Sequence, residues 1–214
     1  MIEHVYRRTA DARGVDAVVV ATDDERIAAA VEGFGGCVRM TRRTHRTGTD
    51  RIAEIAPEID CEILINVQGD LPLIEPGKIE EVVSPLVADS ALDMSTLRKA
   101  ITDASDYANP HVVKVVVDRN GDALYFSRSP IPFVRGSGTS YKHIGLYAYR
   151  RQFVQLFAGL PQTPLELAES LEQLRALEHG FRIRAVETCF ESIEVDTPED
   201  LERVRRHMAL TART

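Results

Sequence analysis

The sequence predicts an α/β fold, with a mostly parallel sheet, helices on both faces and a smaller β-rich portion. Three observations support this prediction. Short β-branched runs alternate with segments of helical apolar spacing up to residue 100, as in folds whose parallel strands are joined by helices. Asn120-Gly121 then predicts a tight hairpin. The chain of 214 residues is long enough to bury the core of one domain.

The first half has capping and turn residues between its elements. Gly14 ends the first helix, Asp23 or Asp24 caps the second, and Gly35-Gly36 turns into a short strand. In order, we predict a helix over 2–12, a strand over 16–21, a helix over 25–34, a strand over 37–40, a helix opened by 47–50, a strand over 62–67, a helix over 76–87 and a strand over 93–100.

The second half is richer in strands and loops. In order, we predict strands over 112–118 and 123–127, a loop over 130–141, a strand over 144–149, helices over 152–158 and 165–179, a strand over 182–187 and a helix beginning at Pro198. The loop is rich in Pro, Gly, Ser and Thr, so we expect it to be mobile and to cover a site or an interface.

Composition excludes several classes of function. The formal charge of −7 at pH 7 argues against a protein that coats nucleic acid. No apolar run approaches the roughly 18 residues needed to span a bilayer, and no signal peptide is visible. Cys37, Cys61 and Cys189 lack CxxC spacing and are typical of reduced thiols. We therefore expect a cytoplasmic protein that binds neither nucleic acid nor membrane.

A carboxylate follows the predicted strand over 62–67. Asp70 comes directly after this β-branched run, beside Gly69 and ahead of Pro72. Ligands gather at the carboxyl ends of parallel strands, and an Asp placed there suits a divalent metal held against phosphates. Alternatively, Asp70 caps the helix that follows. This segment alone does not separate the two interpretations.

A second carboxylate, Asp196, stands before the last predicted helix. Thr197 can cap that helix, with Asp200 three residues on, so the Asp196 carboxylate is not needed for capping. Asp70 and Asp196 converging on a hard cation would form a Mg²⁺ site shared with substrate phosphates. The alternative is that both residues are helix caps.

The segment 44–51 (THRTGTDR) combines hydroxyls and a glycine at a predicted helix start. Thr47, Gly48 and Thr49, with the backbone N–H groups, can cradle an anion or the edge of a base. Plain capping by Thr47 or Thr49 would use the same residues. Arg51 lies in the first turn, where the helix macrodipole disfavours a cation, so we expect an anionic partner for it.

Polar groups also mark the predicted strand over 144–149 and its surroundings. His143, Tyr147 and Tyr149 point to one face, with apolar residues on the other. This face is polar for a simple core, although a lone histidine is often a satisfied structural group. Arg128 follows a predicted strand and precedes the Pro-rich loop, where it can clamp a carboxylate bidentately.

The helix predicted over 165–179 has a leucine stripe with acidic and amide side chains beside it. The off-stripe residues are Glu166, Glu169, Glu172 and Gln173. Spacing alone predicts that these side chains form a solvated face.

In combination and in this order, eight segments resemble the 3-deoxy-manno-octulosonate (Kdo) cytidylyltransferases. The segments are 19–23 (VVATD), 47–51 (TGTDR), 66–72 (NVQGDLP), 109–116 (NPHVVKVV), 123–132 (ALYFSRSPIP), 143–147 (HIGLY), 171–175 (LEQLR) and 195–201 (VDTPEDL). The resemblance covers nearly the whole chain. The sialic-acid cytidylyltransferases match the last four segments less well.

The resemblance implies a cytoplasmic homodimer with a nucleotide-diphospho-sugar transferase-like fold. It would join CTP and Kdo into CMP-Kdo, with release of pyrophosphate, for bacterial lipopolysaccharide biosynthesis. As one domain over 1–214, it would have a nucleotide-binding half (1–110), a β-rich sugar and dimer portion (111–150) and a C-terminal portion (151–214).

The resemblance also implies roles for individual residues. Asp70 and Asp196 would be the catalytic Mg²⁺ ligands. The nucleotide pocket would contain Thr47, Gly48, Thr49, Arg51 and Gln68, and the sugar pocket would contain Arg128, His143, Tyr147, Glu172 and Gln173.

Two departures from the family pattern change these expectations. Leu71 stands where the family usually has Glu, which would loosen the order around the metal. The family's opening strand and its Arg- and Lys-containing phosphate loop have no counterpart in this sequence. We therefore expect a true start upstream, which reading the gene in frame would reveal.

Two alternatives to a Kdo cytidylyltransferase stay open. The substrate is a different ulosonic acid or amino-Kdo, or the chain is truncated and has no activity.

Overall fold

The computed structural model describes residues 1–191, 195 and 197–211 of the chain. In order, the elements are α1 (Ile2–Ala10), β1 (Val19–Thr22), α2 (Glu25–Gly33), β2 (Cys37–Met40), α3 (Gly48–Ile55), β3 (Ile63–Asn66), α4 (Pro76–Ala88), β4 (Met94–Ala100), α5 (Ala104–Ala108), β5 (Lys114–Val117), β6 (Ala123–Ser127), β7 (Tyr141–Arg150), α6 (Arg151–Gly159), α7 (Pro164–Glu169), α8 (Gln173–Glu178), β8 (Ile183–Glu187) and α9 (Pro198–Thr211). Within the described ranges, no helix has the length and apolar character to cross a membrane.

The chain divides into two compact units. The first unit contains 1–57, 66–80 and the described part of 190–214. The second contains 58–65 and 81–189. Each unit has buried apolar residues of its own, such as Val31 and Ile79 in the first and Leu97 and Phe126 in the second.

The first unit contains a βαβ arrangement. β1 and β2 run parallel, with Val19 opposite Cys37 and Thr22 opposite Met40. The crossover between them contains α2, since parallel strands cannot be joined by a tight turn. The residues that follow β1 and β2 therefore lie at the same edge of this two-stranded sheet.

The second unit is built on a six-stranded sheet. Its strand order is β6-β5-β7-β4-β8, and β3 also pairs with β7. β4 and β8 run parallel, whereas β7 runs antiparallel to β4 and β5, and β5 runs antiparallel to β6. The predicted α/β class is confirmed. This sheet is more mixed than the expected arrangement because the β5–β6 connection is a short hairpin, which requires antiparallel strands.

The predicted Asn120-Gly121 turn is confirmed. Gly121 has φ +84°, a left-handed conformation that glycine adopts without steric cost. The Asp118 carboxylate accepts the N–H groups of Asn120 and Asp122, at 2.8 and 2.9 Å. The turn fixes the register of the hairpin, in which Lys114 pairs with Ser127.

β7 has the predicted alternation of faces. Ile144, Leu146 and Ala148 are buried, while the rings of His143, Tyr147 and Tyr149 form a row with centroids 5.4 and 5.9 Å apart. The pairing with β4 contains a bulge, since Thr96 is opposite Tyr147 but the next residue, Leu97, is opposite Ile144.

Candidate functional site

In the first unit, Asp70 lies in the turn that follows β3. The strand ends at the buried Asn66, and the Oδ1 atom of Asp70 is also buried. The backbone N–H of Val195 donates to the Asp70 carbonyl at 3.0 Å. Asp196, the second predicted carboxylate, lies outside the described residues. Leu71 is 7% exposed, so burial explains an apolar side chain at this departure from the family motif.

The start of α3 packs against Gln68. Thr47 caps the helix, because its Oγ1 accepts the Asp50 N–H at 3.1 Å and the Asp50 carboxylate accepts the Thr47 N–H at 3.3 Å. A Cβ on Gly48 would lie 3.3 Å from Gln68 Nε2, so glycine permits this close approach. Gln68 Nε2 donates to Asn66 Oδ1 at 3.0 Å. The capping interpretation is thus correct for Thr47, whereas Thr49 is buried.

Arg51 has the anionic partner that its helix position predicted. Its Nη2 lies 3.1 Å from Asp23 Oδ2, and its Nη1 donates to Thr41 Oγ1 at 2.8 Å. Asp23 follows β1 and Thr41 follows β2. Arg51 is therefore fixed at the carboxyl edge of the two parallel strands, where α/β proteins bind ligands.

An open cavity and a tethered loop adjoin these residues in the first unit. The cavity has a volume of about 440 Å³ and is lined by Asp23, Asp24, Glu25, Arg26 and Arg43. Nearby in sequence, Glu54 accepts the Arg42 N–H at 3.1 Å and contacts His45 Nε2. These hydrogen bonds, the one with His45 first, lower the pKa of Glu54. Sequence spacing gave no signal for this tether.

In the second unit, Arg128 is held by Glu169. The Glu169 carboxylate accepts the Arg128 N–H at 2.9 Å and the Ser127 hydroxyl at 2.6 Å. Arg128 Nε donates to the Glu169 carbonyl at 2.8 Å, and Nη1 donates to the Pro110 carbonyl at 3.1 Å. Burial acts to raise the pKa of Glu169, but the hydrogen bonds that its carboxylate accepts outweigh the effect of burial and lower the pKa. Among the described residues, Nη2 of Arg128 has no hydrogen-bond partner.

Lys114 binds backbone carbonyls around the same segment. Its side chain is fully buried, and Nζ donates to the carbonyls of Asn109, Val112 and Arg128 at 2.9, 2.6 and 2.6 Å. Burial lowers the pKa of Lys114. Both the side chain and the backbone of Arg128 are therefore fixed before any ligand binds, which reduces the entropy lost on binding.

His143 and Tyr147 are neutral polar groups on the β7 face. Burial lowers the pKa of His143 to about 3, so the ring is uncharged at neutral pH. Burial, with smaller contributions from Tyr149 and Glu172, raises the pKa of Tyr147 well above its usual value. His143 Nε2 lies 2.9 Å from the hydroxyl of Thr96, a residue that the sequence analysis did not single out.

The single helix predicted over 165–179 is wrong, since α7 and α8 are separate helices. Ser170 follows α7 with φ 53°, a left-handed conformation that ends the helix. Gln173 at the start of α8 is 4% exposed. Its Nε2 is buried and has no hydrogen-bond partner within the described part of the chain, so it can donate a hydrogen bond to a ligand oxygen. The Oε1 atom of Glu172 lies 3.8 Å from Nη2 of Arg175.

The predicted solvated face is wrong for Glu166 as well as for Glu169 and Gln173. Glu166 and Arg175 form an ion pair whose side chains are both 6% exposed, with Arg175 Nε donating at 2.8 Å. Burial is the largest single influence on the pKa of Glu166 and acts to raise it, but the hydrogen bonds from Arg175, the Thr163 N–H and Gln162, with the charge of Arg175, together lower the pKa. This pair joins α7 to α8 in the second unit.

Replacing Glu166 by alanine should destabilise the protein by about 3–5 kcal/mol, because the buried charge of Arg175 would lose its nearest carboxylate. Urea unfolding followed by circular dichroism measures this loss. The carboxylate's contribution is present above its unfolded-state pKa and disappears as the pH falls through the lowered folded-state pKa. Glu202→Ala breaks an exposed pair with Arg205 and should cost less than about 1 kcal/mol. Equal losses in the two variants would contradict this account.

The two units therefore contain different groups of predicted site residues. The first unit contains Thr47, Gly48, Thr49, Arg51, Gln68 and Asp70, and the second contains Arg128, His143, Tyr147, Glu172 and Gln173. Glu169, Lys114 and Thr96 are additional residues that contact these side chains or fix their backbone.

Relatives with high sequence identity are known. Residues 1–188 match the Cytidylyltransferase family. The 3-deoxy-manno-octulosonate cytidylyltransferase of Geobacter metallireducens is 59% identical over 95% of this chain and 85% of its own length. The enzyme of the same name from Geobacter sulfurreducens is 58% identical over 95% of this chain and 87% of its own length.

A solved structure with high identity supports the same family, and a more distant one has the same fold. CMP:2-keto-3-deoxy-manno-octonic acid synthetase complexed with CTP has a TM-score of 0.94 and 46% identity, over 98% of this chain and 88% of that chain. 4-Diphosphocytidyl-2C-methyl-D-erythritol synthase from Anaerococcus prevotii has a TM-score of 0.62 at 14% identity, over 97% of this chain and 89% of that chain. The second likeness extends to the fold alone.

Proposed function

The chain belongs to the 3-deoxy-manno-octulosonate cytidylyltransferases, and from this premise we propose that it transfers CMP from CTP to Kdo. The products are CMP-Kdo and pyrophosphate. The family resemblance predicted from the eight sequence segments is confirmed. The roles of individual residues are part of the proposal.

The observation that carries this proposal is the environment of Arg128. Its Nε and backbone N–H are bound by Glu169, while Nη2 is unpartnered among the described residues. A guanidinium fixed in this way offers donors of defined direction, which suits a carboxylate. In the same unit, the uncharged His143 and the unpartnered amide of Gln173 suit sugar hydroxyls. One cation with neutral polar groups fits an acidic sugar.

The first unit supplies the residues that we assign to CTP. The buried Thr49 and the amide of Gln68 lie on α3 and after β3, and Arg51 lies at the carboxyl edge of β1 and β2. The N-terminus of α3 adds backbone N–H groups and the positive end of the helix dipole, both of which favour the anionic phosphates.

We assign Mg²⁺ to Asp70 and Asp196. The carboxylate of Asp70 has a buried Oδ1 in the turn after β3, and oxygen ligands suit this hard cation. Within the described residues, no group of three His, Cys, Asp or Glu side chains could hold a metal. Substrate phosphates and water would complete the coordination, as is usual for Mg²⁺. When bound, Mg²⁺ supplies neutralisation of phosphate charge and Lewis-acid polarisation at phosphorus.

The proposed reaction is an in-line displacement. The anomeric hydroxyl of the sugar attacks the α-phosphorus of CTP and loses its proton to water, the bond to the bridging oxygen breaks, and pyrophosphate leaves with that oxygen. Arg128, His143 and Gln173 hold the sugar, and Arg51 and Gln68 hold the nucleotide. Because none of them forms a covalent intermediate, positioning and electrostatic stabilisation supply the rate.

The cellular location, oligomeric state and pathway of the enzyme are also part of the proposal. We assign it to the cytoplasm, as a homodimer, in lipopolysaccharide biosynthesis. The absence of a helix that could span a membrane among the described residues is compatible with this location. Light scattering of the purified protein measures the oligomeric state, and a monomeric mass would remove the homodimer from the proposal.

Pyrophosphate release from CTP tests the function. The purified protein is assayed with Mg²⁺, CTP and, in turn, Kdo, amino-Kdo and a sialic acid. Kdo should give the highest kcat/KM. Replacing the Kdo carboxylate by a primary alcohol should lower kcat/KM by about a hundredfold, because charge-assisted hydrogen bonds to Arg128 are lost. A higher kcat/KM for another acid would change the assigned substrate, and equal turnover of the alcohol would remove the role of Arg128.

A further inference from the structure

The hydroxyl of Thr96 occupies a position with three possible hydrogen-bond partners. Thr96 is fully buried in β4. Its Oγ1 lies 2.9 Å from His143 Nε2, 2.9 Å from the Leu146 carbonyl oxygen and 3.2 Å from the Ile144 carbonyl oxygen. The bulge in the β4–β7 pairing follows directly after Thr96, where two carbonyl oxygens of β7 approach one β4 side chain.

Counting protons decides the direction of these hydrogen bonds. A hydroxyl has one proton to donate, and a carbonyl oxygen can only accept. If Thr96 donated to His143, its oxygen would face both carbonyl oxygens without a proton between them, which is repulsive. The Thr96 proton therefore goes to a carbonyl, with Leu146 the nearer. His143 Nε2 must then be the donor to Thr96 Oγ1.

We propose that Thr96 is a positioning residue that holds His143 in the Nε2–H tautomer, so that Nδ1 accepts a hydrogen bond from a hydroxyl of the sugar. A neutral imidazole has one N–H, so a protonated Nε2 leaves a lone pair on Nδ1. Nδ1 has no hydrogen-bond partner among the described residues, and His143 retains partial solvent exposure. That the group donating to Nδ1 is a hydroxyl of the sugar rests on the proposed function.

The tautomer also limits what His143 does in the reaction. Burial holds the pKa of the ring at about 3, so Nδ1 is a weak base at neutral pH. It therefore orients a hydroxyl without removing its proton. A substrate analogue with that hydroxyl methylated would lose this interaction. The site would therefore prefer the unmethylated sugar to the analogue.

Nitrogen-15 NMR of the imidazole rings tests the tautomer without any substrate. In the wild-type protein, Nε2 of His143 should have the chemical shift of a protonated nitrogen and Nδ1 that of an unprotonated one. In Thr96→Val, which is nearly isosteric but lacks the hydroxyl, the two nitrogens should shift towards a mixture of tautomers. The KM for the sugar should rise about tenfold, as expected for a weakened hydrogen bond, with the KM for CTP unchanged.

Thr96→Ser retains the hydroxyl and should restore both the tautomer and the KM for the sugar. A protonated Nδ1 in the wild type would overturn the proposal, as would a Thr96→Val protein with an unchanged tautomer. The wild-type spectrum decides the question even if the variant fails to fold. Lack of turnover with Kdo would overturn the proposed function instead, and the spectrum would still settle the tautomer.

Discussion

Asp70→Asn should lower kcat by about a hundred- to a thousandfold, the usual cost of removing one group that stabilises transition-state charge. Asparagine has nearly the same shape, so the turn after β3 should persist. The neutral amide is a weaker ligand for Mg²⁺ than a carboxylate, so it would hold less firmly the ion that neutralises the phosphate charge. The variant should also need a higher Mg²⁺ concentration for half-maximal rate. Steady-state pyrophosphate release at saturating CTP and Kdo measures both effects.

A matched control separates the charge of Asp70 from the net charge of the protein. Asp16 is exposed in the first unit, and Asp16→Asn removes one negative charge without touching a residue assigned to the site. Its kcat should equal that of the wild type. If Asp70→Asn retains wild-type kcat and the same Mg²⁺ dependence, Asp70 does not hold the metal.

Arg128→Ala should lower kcat/KM for Kdo by about a hundred- to a thousandfold, since each charge-assisted hydrogen bond contributes roughly 1.5–3 kcal/mol. The KM for CTP should change little, because CTP is assigned to residues of the first unit. Arg128→Lys should recover only part of the loss, since lysine keeps the charge but lacks the planar pair of donors. Varying one substrate at saturating concentrations of the other measures both constants.

Two comparisons make this result specific. Arg119 is exposed in the β5–β6 turn, and Arg119→Ala should leave both KM values unchanged. Glu169→Gln keeps a side chain of the same size but turns an amide N–H₂ or a neutral oxygen towards the Arg128 N–H, which weakens the hold on Arg128. It should raise the KM for Kdo, by less than Arg128→Ala does. A rise in the KM for CTP of the same size would contradict the assignment of Arg128 to the sugar.

Local sequence signals predicted most of the secondary structure. Apolar periodicity located α1, α2 and α4, and the β-branched run located β3. Asn120-Gly121 located the hairpin because the left-handed φ of Gly121 is a local requirement. The break at Ser170 was missed because the leucine stripe continues across it, and nothing in the spacing marks a left-handed serine.

The roles of individual side chains were harder to predict where the contacts are distant in sequence. The anionic partner of Arg51 was predicted from the helix dipole, although its identity as Asp23 was not. Glu169 was interpreted as solvated because helical spacing places it off the apolar stripe, yet it binds Arg128, which is 41 residues away. Thr96 and His143 are 47 residues apart and meet only through strand pairing.

Some expectations stay predictions. Asp196 lies outside the described residues, so its role beside Asp70 as a metal ligand stays a prediction. The division of the chain into three functional portions and the homodimer also stay predictions.

The central claim is tested most directly by phosphorus-31 NMR of a single turnover. Enzyme in excess over CTP is mixed with Mg²⁺ and Kdo. The three CTP signals should be replaced by the signals of pyrophosphate and of one phosphodiester, and only when both Kdo and Mg²⁺ are present. Pyrophosphate formation without Kdo, or loss of CTP signals without a phosphodiester, would contradict transfer of CMP to the sugar.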